Sequence, residues 1–141
     1  MFLKEIKNNF HEQLDALFGK DEVESFFFIL TEYLHNLKRI DLALNPNFEI
    51  SEEEVRKWEA IISELKTEKP IQYIIGETWF YDSKFYVNEH TLIPRPETEE
   101  LVDCILRENQ QNPTAHMLDI GTGSGCIPVS IQTKMPLSNL K

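Results

Sequence analysis

Apolar residues in the first part of the chain return at helical intervals. Phe2, Ile6, Phe10, Leu14 and Leu17 form one stripe, which predicts an amphipathic helix. Gly19 stands where a C-terminal cap belongs. Asp21 followed by Glu24 has the form of a capping box and predicts the next helix start. The segment from Val23 to Leu37 is apolar on more than one face, through Phe26, Phe27, Phe28, Ile29, Leu30, Tyr33 and Leu34, and reads as the central helix of a bundle. Asn45-Pro46-Asn47 breaks the pattern. Ser51 and Glu54 then open a further helix, with Val55, Trp58, Ile61, Ile62 and Leu65 on one side. A bundle of roughly 70 residues is near the lower limit for a self-sufficient core.

From Pro70 the texture changes. PIQYIIGETWFYDSKFYVNEHTLIP is rich in β-branched and aromatic residues, and predicts a β-hairpin with strands near 72–81 and 84–88 and a turn at Asp82-Ser83. A module boundary is expected between 66 and 71. A helix follows over about 97–109, with Leu101, Val102, Ile105 and Leu106 as its buried stripe, then a strand over about 116–120 and a glycine loop opening another helix. Strand, glycine turn and helix in that order begin an α/β sheet. The expected fold class is α + α/β: a helical bundle over 1–69, a β-hairpin linker over 70–93, and the start of an α/β domain over 94–141.

Composition narrows the function classes. The chain has 141 residues, 41% hydrophobic and 27% charged, which suits a globular protein and not a disordered one. Its net charge is −10, and no run of cations offers a footprint for a phosphate backbone, so direct nucleic-acid binding is not expected. Cys104 and Cys126 form no C-x-x-C pattern, and His11, His35, His90 and His116 share no metal-ligand spacing. No metal site is expected, and free thiols suit a reducing compartment. The longest apolar run, Phe26 to Leu30, is far short of a membrane span, and charges interrupt MFLKEIKNNFHEQ as no signal peptide would allow. The expectation is a cytoplasmic protein without membrane contact.

Residues 117–127 read MLDIGTGSGCI. Gly121 and Gly123 remove side chains that would hold a ligand away from the backbone, and Gly125 lets the next helix start close to the strand with its free N–H groups facing the ligand. A dinucleotide fingerprint, G-x-G-x-x-G, requires glycine at position 126, which is Cys126. The helix dipole could lower the Cys126 thiol pKa, but no His or Lys is placed to use it, so the residue reads as packing. Pro128 falls in the first turn, where a missing N–H is tolerated. With Asp119 two residues before the first glycine, the pattern D-x-G-x-G-x-G resembles the first motif of the S-adenosylmethionine-dependent methyltransferases. That cofactor has no phosphates, and its amino-acid end, sulfonium and ribose call for close backbone approach and nearby carboxylates.

A second motif lies upstream. In LIPRPETEELV, residues 92–102, Pro94 and Pro96 hold Ile93 and Arg95 extended. Pro96 suits the first helical position, and Glu97, Glu99 and Glu100 complement the helix N-terminus. A rigid connector explains the prolines and acids but leaves Arg95 unaccounted for. LIPRPETEELV followed by LDIGTGSGCI closely resembles the HemK/PrmC family of protein-(glutamine-N5) methyltransferases, which modify peptide chain release factors. PIQYIIGETWFYDSKFYVNEHTLIPRPETE is similar to the family's run between its two domains, with Asp82 where the family often has glycine and Pro128 where it has a small residue. The resemblance covers about 70–131 in sequence, and 1–69 only in architecture.

The resemblance implies a Rossmann-like methyltransferase domain with S-adenosyl-L-methionine as cofactor and a release factor as protein substrate. The glutamine nitrogen would attack the sulfonium methyl carbon in line. Asp119, Gly121, Thr122, Gly123, Ser124 and Gly125 would line the amino-acid end of the cofactor. Arg95, Glu97 and Thr98 would lie near the same pocket, and the helical domain with the hairpin would help seat the release factor. The family's ribose-binding acid and its Asn-Pro-Pro-Tyr motif are expected beyond Lys141. Asn45-Pro46-Asn47-Phe48 and Asn112-Pro113-Thr114-Ala115 lack that motif's second proline and tyrosine. The chain is thus expected to be an N-terminal portion, inactive alone, with residues beyond about 110 poorly ordered or packed against another copy, since one strand and one helix cannot bury both faces of a sheet. Two other readings compete: an NAD(P)-dependent Rossmann oxidoreductase, and a helical protein-interaction module.

Overall fold

The computed structural model describes residues 1–141, in two compact units, Met1–Ile75 and Gly76–Lys141. The first is helical: α1 (Leu3–Phe18), α2 (Lys20–His35), α3 (Arg39–Leu44), α4 (Glu52–Leu65) and α5 (Ile71–Ile75). The buried stripe of α1 is Leu3, Ile6, Phe10 and Leu14, continued by the partly buried Phe18. Phe2 stands at the N-cap and Leu17 is exposed, because four-residue steps from Leu14 lead to Phe18 and not to Leu17. Gly19, with φ +83°, ends α1 and at once begins α2, its carbonyl accepting the Val23 N–H at 3.1 Å. The expected capping box at Asp21 and Glu24 is therefore absent: the helix starts before Asp21, and Glu24 pairs with Lys7 and His11 of α1 instead. The second face of α2 stays open, with Ile29 and Tyr33 exposed.

The Ser51 cap forms as expected. Glu54 accepts the Ser51 N–H at 2.7 Å while Ser51 Oγ accepts the Glu54 N–H at 3.3 Å. From α4, Trp58, Ile61, Ile62 and Leu65 enter the core. There Trp58 meets Phe10 edge-on and Phe27 face-on, at ring separations of 5.7 and 5.3 Å. The indole N–H, a donor only, points at His35 Nε2 (3.1 Å), so Nε2 is the acceptor and Nδ1 carries the proton given to Glu54 (3.1 Å). The His35 side chain is 1% exposed. Two buried polar groups are satisfied by one chain of bonds, Trp58–His35–Glu54, that ends on the α4 cap.

The second unit holds a hairpin, β1 (Glu77–Phe80) and β2 (Ser83–Tyr86), then α6 (Glu97–Glu108), β3 (His116–Met117), α7 (Cys126–Lys134) and β4 (Asn139–Leu140). The first half of the expected hairpin strand, 72–76, is not strand but α5 and its terminating glycine. Ile71, Ile74 and Ile75 follow the helical i, i+3, i+4 spacing, and Ile71 is buried in the helical core. The turn is Tyr81-Asp82, one residue earlier than expected. Phe80 pairs with Ser83, and both Tyr81 (φ +47°) and Asp82 (φ +60°) take the left-handed conformation that a two-residue hairpin loop requires. Phe80, Phe85, Val102, Ala115, Cys126, Ile131 and Met135 form this unit's core, with Ile105 and Leu106 against it. Leu101, expected in the stripe, is half exposed.

The expected strand over 116–120 is reduced to His116–Met117, paired in parallel with Asn139–Leu140. Residues beyond 110 therefore find partners within the chain, contrary to the expectation for them. β4 lies beside β3, and α7, which connects them along the chain, packs into the unit's core. No helix is long and apolar enough to cross a membrane.

The buried polar chain makes two predictions for the helical unit. His35→Ala leaves the Trp58 N–H without an acceptor and is expected to lower stability by about 2 kcal/mol, read from denaturant unfolding of the full chain. Hydrogen bonds from the Ser51 backbone and hydroxyl, with His35 adding to them, hold the Glu54 carboxyl below the usual glutamate range. A lowered folded pKa stabilises above the unfolded value and loses that stabilisation as pH falls through the folded one. Glu54→Gln should thus unfold more readily than the parent at pH 7, with the difference shrinking as pH falls below the glutamate range. A constant difference between pH 7 and pH 3 would refute this.

Candidate functional site

The loop between β3 and α7 is fixed at both ends by backbone bonds. Lys141 N–H donates to the Met117 carbonyl (3.1 Å), and Asp119 N–H donates to the Lys141 carbonyl (2.8 Å), so the ladder with β4 carries as far as the acid that opens the loop. From there Gly121 (φ +78°), Gly123 (φ +59°) and Gly125 (φ +80°) each take a left-handed conformation that side chains disfavour. Thr122 Oγ1 donates to Asp119 Oδ2 at 2.8 Å, and Gly125 N–H to the Thr122 carbonyl at 3.0 Å, which holds the turn in shape. Gly125 is the N-cap of α7, and Cys126 behind it is buried in the core as a packing residue.

This local geometry fits a ligand pressed against the backbone. A Cβ built on Gly121 or Gly123 meets nothing within 4 Å, so the space before both glycines is open. The N–H groups of 121–124 donate to no backbone acceptor, and they stand beside the free N–H groups of the α7 N-terminus. Such an array favours a carboxylate or another anionic group. Ser124 Oγ is buried without a hydrogen-bond partner, a polar atom for which the chain itself supplies nothing. Asp119, Gly121, Thr122, Gly123, Ser124 and Gly125 therefore come together as one surface.

Arg95, Glu97 and Thr98 lie in the middle of the LIPRPETEELV run, where α6 begins. Pro96 occupies the N-cap of α6 and not its first helical position, and Thr98 N–H donates to the Arg95 carbonyl at 3.0 Å. The Arg95 and Glu97 side chains are exposed, and no hydrogen bond or ion pair joins any of the three to the glycine loop. Two acids of this helix have a role that sequence reading missed. Glu99 accepts the Tyr81 N–H at 2.9 Å, and one turn on, Asp103 accepts the Tyr81 hydroxyl. That bond, with burial and the neighbouring acids, raises the Tyr81 phenol above its usual range. Glu99 and Asp103 are four apart on one helix face, which is the signal that a single partner could span them. They clamp the hairpin turn whose left-handed residues lack the usual glycine.

A cavity of this unit, about 650 Å³, lies elsewhere: Tyr81, Asp103, Arg107 and Lys134 wall it, and it includes no residue of the glycine loop. Nowhere in the chain do three or more His, Cys, Asp or Glu side chains cluster to hold a metal ion.

Comparison with known proteins places these features in a family. Residues 10–76 match the PrmC N-terminal domain. The chain is 48% identical over 139 residues to a release factor glutamine methyltransferase of Flavobacterium psychrophilum, covering 96% of this chain and 49% of that protein. A release factor glutamine methyltransferase of Streptococcus pneumoniae is 41% identical over 137 residues (96% of this chain, 48% of the relative), and one of Bacteroides thetaiotaomicron is 36% identical over 125 residues (89% and 44%). The chain thus spans about half the length of the curated relatives it matches. With a PrmC N-terminal domain and release factor glutamine methyltransferases as relatives along nearly its whole length, the chain belongs to the HemK/PrmC family.

Proposed function

We propose that the protein to which this sequence belongs is an S-adenosylmethionine-dependent methyltransferase acting on the side-chain amide nitrogen, N5, of a glutamine in peptide chain release factors. On this reading residues 1–69 are a domain that helps seat the release factor, 70–93 connect it, and 94–141 begin a Rossmann-like catalytic domain. The observation that carries the proposal is the glycine loop: open space before Gly121 and Gly123, unused N–H groups, and the unpartnered Ser124 hydroxyl. The names of the relatives support the choice of substrate. A nicotinamide enzyme is disfavoured by Cys126, a core residue where its fingerprint needs glycine.

When bound, the cofactor supplies an electrophilic methyl group. Residues of this chain would bind and orient it. Gly121 and Gly123 would admit its amino-acid end to the backbone, where the unused N–H groups of Thr122, Gly123 and Ser124 are the available donors. Asp119, held by Thr122, keeps the loop in shape and offers its second carboxylate oxygen. Arg95, Glu97 and Thr98 belong to the rim of the same pocket. An amide nitrogen is a weak nucleophile, so catalysis requires acceptors on its N–H groups and strict positioning. The 141 residues alone are proposed to be catalytically incompetent, because the apolar flank of the loop is bare: Leu118 is 71% and Ile120 86% exposed. A cytoplasmic setting goes with this reading, since both cysteines are free thiols.

Calorimetric titration of the 141-residue chain with S-adenosylmethionine is expected to show only weak binding, with a Kd above about 100 μM, for want of most of the gross contact energy. Low-micromolar affinity would refute the half-site reading. In the protein encoded by the complete reading frame, Gly123→Val forces a β-branched residue into a left-handed conformation and fills the approach to the backbone. Its Kd for the cofactor should rise at least tenfold, by about 1.4 kcal/mol or more, with the melting of the helical domain unchanged. Unaltered affinity would remove the loop from the site.

A further inference from the structure

The helical unit carries a groove that the proposed cofactor site does not use. It has a volume of about 340 Å³ and lies between α1, α2 and the segment that holds α3, at the lower end of the sizes that ligand pockets take. Its floor is apolar: Phe27, Phe28, Leu42 and Phe48 line it. That volume accommodates one large apolar side chain with part of its backbone and no more.

The rim has the opposite sign to the rest of the molecule. Lys4, Lys7 and Arg39 stand around the groove against one acid, Glu24, on a chain whose net charge is −10. Lys7 is compensated, since its ammonium pairs with Glu24 at 2.7 Å. Burial works against the Glu24 charge, but bonds from Lys7 and His11 outweigh it and hold the carboxyl below the usual range, so the pair stays ionised. Lys4 donates to the Asn47 amide oxygen, at 2.7 Å, and its ammonium lies over the Phe2 ring, 5.0 Å from the centroid, but it has no carboxylate partner. Arg39 has no carboxylate at all: its guanidinium lies over the Phe28 ring, 4.9 Å from the centroid, and the side chain is otherwise exposed. Stacking on an aromatic face fixes the plane of a guanidinium while leaving its forked donors free for a carboxylate.

The wall that carries Arg39 is held by Leu42, which packs partly buried against the core. None of the six residues of α3 is fully buried, and Ile40 (63%) and Leu44 (78%) are exposed. A phosphate backbone is a poor occupant, because two uncompensated cations on an acidic protein give neither the length nor the charge density it needs. A short peptide with an apolar anchor flanked by carboxylates matches both the floor and the rim.

We infer that this groove, floored by Phe27, Phe28 and Phe48 and edged by Lys4 and Arg39, docks an acidic peptide segment of a partner protein through one apolar side chain and at least one carboxylate. The inference stands on the helical unit alone and does not depend on the cofactor or the methyl acceptor.

The test is fluorescence anisotropy of the full 141-residue chain with a labelled Asp-Glu-Leu-Phe-Glu-Asp peptide. Its Asn-Gln-Leu-Phe-Gln-Asn counterpart, glutarate and a single-stranded oligonucleotide serve as competitors. Micromolar binding is expected, about tenfold weaker for the amide peptide and about tenfold weaker for Arg39→Ala, with amide shifts in an NMR titration confined to the groove. Arg39→Lys should lose less than Arg39→Ala, and both variants should melt as the parent does, because the side chain is exposed. No binding of the acidic peptide, equal affinity for the amide peptide, an unaffected Arg39→Ala, or equal binding of glutarate or the oligonucleotide would each overturn the inference.

Discussion

Between Leu118 and Cys126 the chain must turn from a strand into a helix while leaving its backbone uncovered, and the second unit is organised around that turn. Three glycines at alternate positions, all with positive φ, make the reversal without placing a Cβ on its open side. The consequences run in both directions. On the outside, four N–H groups are left for a ligand, while the Ser124 hydroxyl is buried without a partner. On the inside, α7 starts at once and delivers Cys126, Ile131 and Met135 to the core that Val102 of α6 shares. Asp119 then has to be held in place, and Lys141, just past β4, does so by accepting its N–H on a main-chain oxygen. The same constraint that opens the backbone to a ligand thus determines how the helix behind it packs.

The helical unit answers to a different constraint. Its core contains two polar rings, Trp58 and His35, and each buried nitrogen must find a partner. The solution runs from Trp58 through His35 to Glu54, whose carboxylate also caps the helix on which Trp58 stands. Helix start, core packing and polar satisfaction are therefore coupled through one glutamate. Beside this centre lies α3, which packs Leu42 against the core but has no fully buried residue. The groove's wall is thus carried by an element that contributes little to the core.

Elements whose signals are local could be read in the sequence. The stripe of α1, the Ser51–Glu54 cap and the α6 start depend on residues a few positions apart, and the glycine loop depends on the backbone freedom of the glycines themselves. Where the structure departs, longer-range effects decide. Isoleucines and Tyr73 in 71–75 favour strand by intrinsic preference, but burial of Ile71 in the helical core selects α5. Asp21 and Glu24 look like a cap, yet Gly19 starts α2 earlier and Glu24 turns to Lys7 and His11. Tyr-Asp is a poor hairpin turn on its own, and becomes one because Glu99 and Asp103 hold Tyr81 from another element. α3, with little amphipathic pattern, and β4, two residues long, leave almost no trace in the sequence. Within the candidate site, the loop residues were legible one by one. The place of Arg95, Glu97 and Thr98 at the pocket rests on family resemblance, since no bond ties them to the loop.

The claim that the loop is the part of a methyltransferase site which meets the amino-acid end of the cofactor is tested most directly by NMR. Uniformly 15N-labelled chain would be titrated with S-adenosylmethionine to millimolar concentration, where even weak occupancy shifts amide signals, and in parallel with NADH. The account predicts shifts at the amides of Gly121 to Cys126 with S-adenosylmethionine, none in Met1–Ile75, and no response of the loop to NADH. Shifts in the loop with NADH and not with S-adenosylmethionine, or a loop that responds to neither, would contradict it.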